Sequence, residues 1–138
     1  MTGRPKNKMK TYDNVNNPAH YQPKFETRPI ECIDIARHLP FSLGNAFKYV
    51  WRAGSKGGRD KALEDLEKAE WYLRDAGSDA NEPHEEAKRY FDMLVADDSG
   101  RYKALWGIVC GYRSVARDGI ADLKREFGGT VDTAGIDA

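Results

Sequence analysis

The stretch Gly44-Asn-Ala-Phe-Lys-Tyr-Val-Trp-Arg-Ala-Gly-Ser-Lys-Gly-Gly-Arg59 decides how the chain is read. At about 100° per residue, a helix through it puts Leu43, Phe47, Val50 and Trp51 on one side and Asn45, Lys48, Tyr49 and Arg52 on the other. The first set is a core face. The second gathers two cations, an amide and a phenol, and the helix then enters a loop with three glycines, Lys56 and Arg59. Glycines let bare backbone N–H groups approach an anion, and the following helix points its positive end the same way. The pattern predicts a phosphate-binding surface, against the plainer reading of a solvated helix face followed by a turn. Neither Gly-x-x-x-x-Gly-Lys-Ser/Thr nor Gly-x-Gly-x-x-Gly occurs, so any nucleotide site is of another kind.

Upstream, the spacing predicts a helix from about Pro29 to Leu39, stopped by Pro40. Ile30, Ile33 and Ala36 are its expected buried surface, and Glu31, Asp34 and His38 share the remaining stripe. Glu31-x-x-Asp34 reads either as a wet face or as half of a Mg²⁺ or ammonium site, since neighbouring carboxylates repel unless a cation lies between them. Downstream, a helix is expected from Asp60, as N-cap, to Asp75, stopped by Gly77, with Ala62, Leu63, Leu66, Ala69 and Leu73 in the core. Lys61, Asp65, Lys68 and Tyr72 form a second stripe on this helix. It is either an exposed face laced with ion pairs or a surface looking across at Lys48, Arg52, Glu31 and Asp34. Glu64 and Glu67 offer another carboxylate pair.

The rest of the chain reads as further helices. Residues 1–15 are an aperiodic basic arm, expected to be mobile. Asn16-Asn17-Pro18-Ala19-His20-Tyr21-Gln22-Pro23 forbids a regular element and predicts an ordered turn. Residues 16–76 form a motif-bearing helical domain, and residues 77–127 add helices for packing or oligomerisation. Within these, Pro83 starts a helix to about Ala96, with Ala87, Phe91, Leu94 and Val95 inward. A long helix then runs to about Asp118, with Leu105, Ile108, Val109, Tyr112 and Val115 on the helical period. In it Gly107 and Gly111 invite a close backbone, from another subunit or from the same chain. A short helix over Ile120 to Phe127 precedes a loose tail over residues 128–138. No strand-type alternation occurs, which predicts an all-α bundle of five to six helices.

The 138 residues suffice for one domain and its core, and 40% hydrophobic with 32% charged residues fits a globular rather than a disordered chain. Cys32 and Cys110 sit in helical patterns and suggest no disulfide framework, which points to a reducing cytoplasm. No apolar run approaches a membrane span, and no export signal is expected. A net charge of zero argues against a general nucleic-acid binder. The charge is nevertheless uneven: residues 1–59 hold 11 Lys and Arg against 4 Asp and Glu, and the remainder 11 against 18.

Five ordered blocks carry a resemblance: Asn-Pro-x-His-Tyr at 17–21, Ile-Glu-x-Ile-Asp at 30–34, Gly-Asn-x-x-Lys-Tyr-x-Trp-Arg at 44–52, Gly-x-Lys-Gly at 54–57 and Glu-Asp-Leu-x-Lys-Ala-x-x-Tyr-Leu at 64–73. Over residues 16 to 75 the chain resembles a small phage domain of unknown function that also forms the core of a phage nucleotide kinase lacking a P-loop. Phe47 and Glu67 stand where that pattern has an aliphatic residue and a lysine. The resemblance implies a homo-oligomer in the host cytoplasm, transferring the γ-phosphate of ATP to a deoxynucleoside monophosphate with Mg²⁺. It implies Lys48, Arg52 and Asp65 as catalytic residues. Asn17, His20, Tyr21, Asn45, Lys48, Arg52, Lys56 and Lys68 would hold the nucleotide, with His20 and Tyr21 closing over base or sugar. Glu31, Asp34 and Asp65 would hold Mg²⁺ or order basic side chains. Two alternatives remain open: a MazG-like nucleoside triphosphate pyrophosphohydrolase using Glu31/Asp34 and Glu64/Glu67, or a protein that binds and sequesters a nucleotide without turning it over.

Overall fold

A computed structural model describes residues 28–129. The N-terminal arm, the turn carrying Asn17, His20 and Tyr21, and the tail from residue 130 lie outside the described residues. The chain divides into two units, Met1–Glu31 and Cys32–Ala138. In the first, the described residues include Arg28 and Glu31, paired at 4.0 Å. The described residues of the second hold six α-helices: α1 Cys32–Ala36, α2 Phe41–Arg52, α3 Arg59–Asp75, α4 Glu85–Phe91, α5 Gly100–Cys110 and α6 Arg113–Glu126, with a 3₁₀ turn over Gly77–Asn81. Among the described residues there is no strand, and no helix is long and apolar enough to cross a membrane.

The helical period decides the core. Leu43, Ala46, Phe47 and Val50 on α2 and Ala62, Leu66, Ala69 and Leu73 on α3 are buried, and these stripes pack the two helices together as an antiparallel pair. Each fully buried Leu or Phe contributes roughly 1.5–3 kcal/mol. Pro40 separates α1 from α2: the chain tightens into i→i−3 bonds, His38 N–H to Ile35 O and Leu39 N–H to Ala36 O, both 3.0 Å, and α2 then starts afresh. α1 is five residues, Cys32–Ala36, not the eleven expected from Pro29 to Leu39, and its faces rotate relative to the prediction. Asp34 is buried and Ile33 is exposed, the reverse of the expected arrangement.

The C-terminal helices differ more. The expected long helix is two, because Gly111 adopts φ +83° and ends α5 in a left-handed cap. Gly111 also sits against the backbone of Glu82 and Pro83, where His84 N–H donates to Val109 O at 2.9 Å. α6 then absorbs the expected short helix. Gly107 does admit a close backbone, but it is that of α6: a Cβ there would lie 2.5 Å from Ala116 N. Gly119 on α6 meets Ala104 of α5 in the same way. The surface considered for a subunit contact is therefore internal core. Tyr112 and Val95, expected inward, are exposed, since α4 stops at Phe91 and α5 stops before Tyr112. Ser99 starts α5 by accepting from Tyr102 N–H at 3.0 Å.

A Gly119→Ala chain should lose about 2 kcal/mol of unfolding free energy in urea, because the added methyl meets backbone that cannot step aside. A loss under about 0.5 kcal/mol would show that α5 and α6 do not touch at the main chain.

Candidate functional site

α2 and α3 turn their charged stripes toward each other. At the centre lies Asp65, 1% exposed although ionisable. Its Oδ1 is 3.4 Å from the Arg52 guanidinium on α2 and 3.4 Å from the Lys61 ammonium one turn earlier on α3. A buried carboxylate is tolerated only when paired, and here two cations from two helices meet it. The partners themselves are more than a third exposed, so water screens them.

The cations converge further. Lys48 Nζ, the Arg52 guanidinium and Lys68 Nζ stand 4.8, 4.9 and 5.5 Å from the centroid of the Tyr49 ring. Tyr49 in turn stacks on Tyr72 of α3, centroids 6.0 Å apart and planes 11° from parallel. Glu64 is exposed and offsets part of this charge, 3.5 Å from Lys61 and 3.9 Å from Lys68. Among the described residues Lys48 has no carboxylate at ion-pair distance. Four cations thus face two carboxylates, and three like charges sharing one ring favour an anion between them.

Of the residues predicted from sequence, Lys48, Arg52, Asp65 and Lys68 are brought together. Asn45 is half-buried one turn before Tyr49 on the same helix, and Lys56 is exposed on the loop after α2. Asp34 is buried on α1; Glu31 is exposed and belongs to the other unit. No group of three or more His, Cys, Asp or Glu among the described residues could hold a metal ion. The loop glycines have structural reasons. Gly54, at φ +90°, leaves the place into which the Phe127 ring packs, and Gly57, at φ +75°, lies against the Lys61 stem. Arg59 donates to Gly128 O at 3.2 Å, tying this loop to the end of α6.

Several positioning contacts had no sequence signal. Arg101 of α5 donates to Val50 O at 2.6 Å and Trp51 O at 3.1 Å, covering the free carbonyls at the C-terminal end of α2 one residue before Arg52. Arg113 donates to Leu73 O in the last turn of α3 at 3.4 Å and to Gly77 O in the 3₁₀ turn that follows. Lys124 of α6 meets Glu70 of α3 at 2.9 Å. Burial pushes the Cys32 thiol up to about 11, with Lys48 opposing only in part, so at neutral pH it is a protonated thiol and no nucleophile.

Asp65→Asn should cost about 2 kcal/mol in chemical denaturation, because both cations lose their buried counter-charge. Glu64→Gln, which removes an exposed charge, should cost less than about 0.5 kcal/mol; equal costs would place Asp65 outside the role given to it.

Residues 15–74 match a family described as a protein of unknown function, DUF3310, so the match takes in α1, α2 and all but the last residue of α3. No curated protein and no solved structure is similar enough to the chain to match it.

Proposed function

We propose that the α2/α3 face binds the phosphates of a nucleotide and that the chain transfers a phosphoryl group from ATP to a deoxynucleoside monophosphate. The observation that carries this reading is the convergence of Lys48, Arg52 and Lys68 on one tyrosine ring beside a buried, doubly paired Asp65. Phosphoryl transfer asks little covalent chemistry of a protein. It asks for positive charge around the equatorial oxygens and for donor and acceptor held in line.

Each residue then has a physical task. Lys48 and Lys68 are point charges on flexible stems, suited to following a phosphate as its charge is redistributed. Arg52 offers a planar fork, and Asp65 fixes its orientation from behind. Lys61 is shared between Asp65 and Glu64 and sets the local field rather than the contact. The described residues do not build a protein cage for Mg²⁺; the ion would enter with the nucleotide, whose own phosphates supply oxygens, as is usual for this cation. Glu64 is engaged by Lys61 and Lys68, so it is poorly placed to be half of a pyrophosphohydrolase metal site.

Purified protein with ATP, Mg²⁺ and each deoxynucleoside monophosphate should form ADP and the diphosphate, and Lys48→Ala or Arg52→Ala should lower the rate by roughly a hundredfold. Nucleotide bound but recovered unaltered would reduce the activity to binding. Pyrophosphate released from a deoxynucleoside triphosphate without an acceptor would replace transfer by hydrolysis.

A further inference from the structure

The cationic cluster continues into an exposed aromatic surface that neither the core nor the charge pattern uses. Phe41, the first residue of α2, is 79% exposed, and Trp71 on α3 is 54% exposed. Both rings meet Tyr72 edge to face, Phe41 at 6.3 Å and 77°, Trp71 at 5.1 Å and 85°. Tyr72 is the ring stacked on Tyr49. An unbroken sequence of ring contacts therefore leads from the three cations, through Tyr49 and Tyr72, to two large aromatic side chains standing in solvent.

Exposed Phe and Trp cost solvation unless something covers them, and the neighbouring charge restricts what that is. An apolar protein surface laid over these rings would bring Lys48, Arg52 and Lys68 with it and strip them of water. A ligand with a flat apolar face at one end and an anion at the other satisfies both halves. We propose that Phe41, Trp71 and Tyr72 form the base-stacking half of the site, taking the ring of a nucleotide whose phosphates lie against Lys48, Arg52 and Lys68. The assignment rests on the phosphate-binding reading given above and adds where the base goes. Stacking on aromatic faces tolerates any base, so this surface supplies affinity for nucleotides as a class rather than choice among them.

Calorimetric titration of the full chain with dATP, dTTP and inorganic tripolyphosphate separates the two halves. Both nucleotides should bind more tightly than tripolyphosphate, and Phe41→Ala/Trp71→Ala should erase roughly tenfold of that advantage. Tripolyphosphate affinity should be unchanged, which also shows that the variant is folded. A nucleotide advantage that survives the double substitution, or none in the unaltered chain, overturns the base assignment and leaves the phosphate site standing. Failure of all three ligands to bind overturns both. An oligodeoxythymidylate whose affinity climbs steeply with each added residue, far above dTTP, overturns the mononucleotide assignment in favour of a single strand.

Discussion

Asp65 is the point on which the α2/α3 face depends. Its carboxylate is out of water, so the helices must supply it with positive charge, and they do so from both sides. The pairing therefore does more than link two residues. It requires Arg52 and Lys61 to converge at one place, and it sets Arg52 over the Tyr49 ring that Lys48, from the same helix, and Lys68, from α3, also approach. An apolar residue at 65 would pack the helices as well, but would leave nothing to orient the guanidinium.

The helices beyond the family match brace this arrangement. Arg101 covers the carbonyl end of α2, Arg113 the carbonyl end of α3, and the Phe127 ring packs where Gly54 has no side chain. α5 and α6 can act as one support because glycines let their backbones meet at Gly107 and Gly119. The matched segment supplies the charged face; the C-terminal helices fix the ends of the two elements that carry it.

What the sequence revealed followed from local periodicity. Twelve residues of α2 and seventeen of α3 are long enough for a 3.6-residue period to put Lys48 and Arg52 on one charged stripe and Asp65 and Lys68 on another, with their facing each other one of the two readings the pattern allows. α1 is five residues, too short for its period to fix its faces, and the structure buries Asp34 and exposes Ile33 where the pattern predicts the reverse. Gly111 satisfied the period of a continuing helix, and only its left-handed backbone shows the break. Arg101 and Arg113 act across 51 and 40 positions, a separation that no local pattern encodes. Phe41 and Trp71 carry no local signal because large aromatics are ordinarily buried, and their exposure follows from how α2 and α3 pack.

The central claim is that Arg52 and Asp65 act as a coupled pair across α2 and α3. A double-mutant cycle in urea denaturation, using Arg52→Met, Asp65→Asn and both together, measures that coupling directly. The account predicts an interaction free energy of about 1 kcal/mol or more; additivity within about 0.3 kcal/mol would contradict it.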